Sequence, residues 1–149
     1  MIVAVCSKDK VVNDIAQQAA RYNRLAFGKC CGVQQAKQQK LDKHENLFLV
    51  AHNAEFTEDS DVVIGSHQDQ TLMSSVDVLK RVNIFPNDYD GSIFVYVLEG
   101  DAGGQATKRF VKQVKSIVSQ VFPQVEYYRH VGSAQSHVPA PHERVWLRT

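Results

Sequence analysis

Three continuous apolar runs, separated by stretches of helical period, constrain this chain more than any other feature. Ile2-Val3-Ala4-Val5-Cys6, Asn46-Leu47-Phe48-Leu49-Val50-Ala51 and Ser92 to Leu98 lack the polar alternation of a half-wet strand. Each therefore reads as a strand buried on both faces. Between the first two, Val11, Val12, Ile15, Ala16, Ala19 and Tyr22 recur at helical spacing, with Gln17, Gln18 and Arg21 opposite. Ser7 or Asp9 is placed to cap that helix by accepting from its free N–H groups. After the third run, Gln105 to Val121 carries an apolar stripe of Phe110, Val111, Val114, Ile117, Val118 and Val121, with Lys108, Lys112 and Lys115 on the wet side and Pro123 as a stop. Strands alternating with helices demand crossovers, hence a mainly parallel sheet flanked by helices. The prediction is one three-layer α/β domain spanning residues 1–149.

The intervening segments are less constrained. Val125 to Tyr128 reads as a further strand, and Val62-Val63-Ile64 as a short strand or hairpin arm before Gly65. Thr71 to Arg81 spaces Leu72, Val76 and Leu79 as a helix would. Leu25-Ala26-Phe27 suggests a short strand, and Gln34 to Lys43 an exposed loop or frayed helix. Glu55 to Asp61 is acidic and loop-like, and Arg144 to Leu147 a docked tail or edge strand. No internal repeat or long linker divides the chain.

With 44% hydrophobic and 22% charged residues, the composition is that of an ordinary globular domain. A chain of 149 residues buries enough surface to fold without metal or disulfides. Three cysteines (Cys6, Cys30, Cys31), two of them adjacent, imply no disulfide framework. The apolar opening turns polar too early for a signal peptide, and no run approaches a membrane span. These features predict a soluble, cytoplasmic protein with no membrane partner. A net charge of +1 argues against nucleic acid. The charge is unevenly placed: residues 1–52 carry eight Lys/Arg against four Asp/Glu, 53–101 two against ten, and 102–149 seven against two. Such segments either complement one another once folded or mark a surface for another protein.

Leu47 to Val131 resembles the core of the caspase-like cysteine peptidases, the clostripain-type and self-cleaving toxin peptidases among them. That family has a hydrophobic strand ending in the catalytic His, then a glycine-containing loop and a helix. A second hydrophobic strand ends in the nucleophilic Cys, followed by a small-residue turn and a long helix. Leu47 to His52 matches the first strand and its histidine; Val63-Ile64-Gly65 and 71–81 match the middle. Ile93 to Leu98, then Gly100 to Gly104 and the helix from Gln105, match the rest. The resemblance implies a peptidase-like fold with His52 at its centre. Glu99 or Gly100 stands where the family has its cysteine, and Asn53 where it has a glycine. A carboxylate beside the histidine cannot serve as the thiolate nucleophile for peptide cleavage. A flavodoxin-like or other doubly wound domain generates a similar string of elements.

Ligands of parallel sheets bind beyond the C-terminal strand ends, which singles out Cys6, His52, Asn53, Glu99 and Asp101. His52 is the candidate general base, against a histidine merely hydrogen-bonded at the rim. Cys6 is a candidate nucleophile if His52 activates it, against a cysteine that only packs. Glu99 and Asp101 could meet Asn53 or His67 around a hard cation. The histidine spacings suit no zinc site, however, and no metal or other cofactor is predicted. Two functions remain: a non-catalytic caspase-like domain that binds or regulates, or a small hydrolase using His52 with Cys6 or Glu99.

Overall fold

The computed structural model describes residues 1–6, 8–99, 104–130 and 137–149. The strands are β1 (Ile2–Ala4), β2 (Cys30–Gly32), β3 (Leu47–Phe56), β4 (Val62–Ser66), β5 (Thr71–Ser74), β6 (Ser92–Glu99), β7 (Glu126–His130) and β8 (Trp146–Arg148). The helices are α1 (Lys10–Tyr22), α2 (Arg24–Phe27), α3 (Ser75–Arg81) and α4 (Gln105–Val118), with a 3-10 helix at Val33–Gln38. The strand order is β2-β1-β3-β6-β7-β8. The first five of these run parallel, and β8 closes one edge antiparallel to β7. The strands predicted at 2–6, 46–51, 92–98 and 125–128 are thus parallel members of one sheet.

The apolar runs work as their composition requires, sending alternate residues to opposite cores. On one face Val3, Leu47, Leu49, Ile93 and Val95 pack under Phe110, Val111 and Val114 of α4 and Val78 of α3. On the other, Ile2, Ala4, Phe48, Val50 and Tyr96 meet Val12, Ala16 and Ala19 of α1. Three layers result. Parallel register places Phe48, Phe94 and Tyr128 side by side on successive strands. Their rings stack at 4.6 and 4.9 Å, with Phe27 edge-on to Phe48 at 4.8 Å. Aromatic pairs of this kind add about 0.5–1.5 kcal/mol each beyond their buried area.

Several local expectations are corrected. Leu25-Ala26-Phe27 is helical, not extended, because the Asn23 side chain accepts from the Ala26 N–H and caps a short turn. Of the loop or frayed helix expected from Gln34, a short 3-10 helix forms at Val33–Gln38, with Val33 and Ala36 buried three residues apart rather than exposed. Cys30–Gly32 forms an edge strand that the sequence pattern did not signal. Thr71–Ser74 is a strand, and the helix starts only at Ser75, where Ser74 accepts from the Asp77 N–H. Glu55 and Phe56 are strand rather than loop, since β3 runs on beyond its parallel neighbours and pairs antiparallel with β4. The stripes are narrower than their spacing suggests: Val11 and Tyr22 of α1 and Ile117 of α4 are exposed, and α4 ends at Val118 rather than Val121, which is exposed beyond it. Among the described residues, no helix is long and apolar enough to cross a membrane.

Candidate functional site

The C-terminal ends of β1 and β3 and the end of β4 converge on one polar cluster. The loop leaving β1 delivers Asp9 as the N-cap of α1, where Oδ1 accepts from the Val12 N–H at 3.1 Å. The second carboxylate oxygen faces the sheet. It accepts from His52 Nδ1 at 2.6 Å and from Ser66 Oγ at 2.7 Å. Asp9, His52 and Ser66 are all buried. A buried carboxylate without partners would be neutral. Burial does oppose ionisation of Asp9, but the hydrogen bonds from Ser66, His52 and the Val12 N–H, with the charge of His52, outweigh it and hold the carboxyl below its usual range.

Fixing Nδ1 against Asp9 aims the other imidazole nitrogen outward, the orientation a general acid–base histidine needs. Nε2 of His52 lies 3.6 Å from Oε1 of Glu99, the largely exposed last residue of β6. His52 and Glu99 are therefore brought together.

Cys6 lies under this cluster and is fully buried. Burial pushes its thiol up to about 12; a hydrogen bond from the His52 backbone opposes this, while Asp9 and Asp69 add to it. A thiol so placed is inert near neutrality. The Ser66 hydroxyl, which lies in the same cluster, is donated to Asp9.

Asn53 and His67 also meet, across the β3–β4 ladder that pairs Asn53 with Gly65. The Asn53 side-chain oxygen accepts from the His67 N–H at 3.3 Å, and His67 Nε2 contacts Glu55 Oε2 at 2.6 Å on the surface. His67 Nε2 is thus occupied by Glu55. Among the described residues no three metal-ligating side chains gather. Asp101 and Gly100 lie outside the described residues.

Sequence reasoning treated Asp9 only as a helix cap and passed over Ser66. The cap signal was visible, but a cap uses one carboxylate oxygen, and the other is claimed by residues 43 and 57 positions away. Gly65 was the available hint for Ser66. A Cβ there would fall 1.8 Å from the Thr71 carbonyl oxygen, so glycine lets β4 and β5 close together and seat Ser66 over Asp9. No protein-family model, curated protein or solved structure matches the chain.

Proposed function

We propose that this chain is a caspase-like pseudoenzyme that retains an oriented histidine without a nucleophile and acts by binding another protein. The observation that carries the reading is the group across from His52 Nε2: at 3.6 Å it is the carboxylate of Glu99, at the strand end where the resemblance implies a thiol. A carboxylate there pairs with an imidazolium and leaves nothing to attack a carbonyl. Cys6, the other candidate nucleophile, is buried with its thiol raised. A cytoplasmic location accords with three cysteines left unpaired.

The second reading, a small hydrolase with His52 as general base, is favoured by one specific observation, the short Asp9 contact that fixes the imidazole. Incubation with fluorogenic peptide mixtures, and mass spectrometry of the protein itself, decides between them. No cleavage is expected; turnover lost in His52→Ala supports the hydrolase instead. The position match has its own test in a Cys30→Ser/Cys31→Ser background. Glu99→Cys should alkylate rapidly across about pH 5–7, as thiolates beside a His⁺ do, and slow when His52→Ala is added. Cys6 should label only in denaturant. Slow alkylation of Glu99→Cys removes the match to the peptidase nucleophile.

A further inference from the structure

Part of the uneven charge of the sequence finds no ion-pair partner among the described residues. At the N-terminal end of the sheet, where α1 turns into α2 and the chain enters β2, Arg21, Arg24 and Lys29 line a shallow hollow of about 410 Å³. Arg21 lies in the last turn of α1, where a cation is favoured by the helix dipole. Lys29 has no such role. None of the three side chains forms an ion pair with a described residue. On the ridge beside them Tyr22 and Leu25 are almost wholly exposed, 83% and 102%. Beyond the ridge, Tyr22, Phe27 and Val138 line a groove of about 390 Å³. Tyrosine, arginine and exposed leucine in one corner have the composition of a protein interface rather than of a solvated helix end.

A complementary surface stands at the opposite end of the same molecule. The β3–β4 turn is tied by bonds from the Thr57 N–H to Asp61 O at 2.8 Å and from the Ser60 N–H to Thr57 O at 3.0 Å. Ser60 takes a left-handed φ of 63°. This tight turn presents Glu58 and Asp59 to solvent, neither in an ion pair with a described residue, and Phe56 beside them is 46% exposed. Ile2 pairs with both Cys30, next to the basic hollow, and Phe48, whereas Phe56 lies eight residues further along β3. At ~3.3 Å per strand residue the two surfaces are separated by roughly 25 Å. One chain cannot join them.

We propose that the basic α1–α2 corner is the docking site for the acidic β3–β4 turn of a second copy of this chain, with Glu58 and Asp59 on Arg21, Arg24 and Lys29 and Phe56 against the Tyr22/Leu25 ridge. The two patches differ, so the contact is head-to-tail: each copy keeps one patch free, and the pair keeps one of each kind. Association then grows into rings or open chains rather than stopping at a two-fold dimer.

Sedimentation and light scattering over a protein concentration series test this at about 10 mM and about 1 M salt, where the screening length is ~30 Å and ~3 Å. Expected is a concentration-dependent rise in mass at low salt that disappears at high salt. Arg21→Gln/Arg24→Gln and Glu58→Gln/Asp59→Asn, each with wild-type circular dichroism, should weaken self-association by about tenfold or more. Mixing the two variants leaves one intact hollow and one intact turn, so the mixture should form a one-to-one pair and go no further. A wild-type protein that stays monomeric at low salt overturns the proposal, as do variants that associate like wild type. A monomer that binds polyglutamate through Arg21 and Arg24 overturns it too and assigns the hollow to a different acidic chain.

Discussion

The two halves of β3 solve different physical problems with one continuous strand. Leu47 to Ala51 is apolar and fully buried, held between parallel neighbours and packed on both faces. His52 to Phe56 leaves that environment and mixes buried, half-buried and exposed positions. It is held by the antiparallel β4 and by polar contacts from Asp9 at the start of α1, Glu99 of β6 and His67 just after β4. The first half is stabilised by non-directional burial, which tolerates small shifts. The second depends on hydrogen bonds that work only at fixed geometry. The fold belongs to the first half and the candidate chemistry to the second.

The largest effect should come from the apolar half. Phe48 is fully buried and touches Phe27, Phe94 and Trp146. Phe48→Ala should cost about 3–5 kcal/mol, the range for removing a buried aromatic and leaving a cavity. Equilibrium denaturation should show the whole sheet losing stability in one transition. Loss of the β4–β5 hairpin alone would mean that the two halves are less coupled than β3 implies.

A smaller, pH-dependent effect should come from the wired half. Asp9→Asn keeps the shape but removes the charge that Ser66, His52 and the Val12 N–H address, with a cost of about 1–3 kcal/mol near neutrality. The sign follows from the depressed Asp9 carboxyl. Its contribution is fully present above the unfolded value of about 3.9 and is lost as pH falls through the lower folded value. The stability gap between wild type and Asp9→Asn should therefore narrow as pH drops below about 4. A gap that is flat with pH would show that Asp9 acts through packing rather than charge.

The same division explains what could be read in the sequence. Leu47 to Ala51 was legible because an apolar run declares its burial locally, whatever it packs against. Thr71–Ser74 was misread because Leu72, Val76 and Leu79 fit a helical period. The strand is decided instead by pairing with β4, a non-local fact. His52 and Glu99 could be placed at one rim by the parallel topology alone. Asp9 could be recognised as a cap but not as the partner of His52, because nothing in 43 residues of separation encodes which carboxylate oxygen faces the imidazole.

The smallest predicted effect is that of the Tyr127 hydroxyl, read against a hydroxyl at the wired end. Tyr127 sits on β7 opposite Ile93, which itself pairs with Leu47, so it belongs to the apolar end. Its ring is buried, its hydroxyl has no hydrogen-bond partner among the described residues, and burial pushes that group up to about 12. An unpaired buried hydroxyl costs its own desolvation, so Tyr127→Phe should be neutral or stabilising by up to about 1 kcal/mol. Ser66 carries the matching hydroxyl at the wired end, equally buried but donated to a carboxylate. Ser66→Ala should cost about 1.5–3 kcal/mol, the range for a hydrogen bond to a charged group. Thermal and urea denaturation of the two variants side by side should give shifts of opposite sign. If Tyr127→Phe destabilises as much as Ser66→Ala, the Tyr127 hydroxyl has a partner after all, and the apolar end of β3 is not held by burial alone.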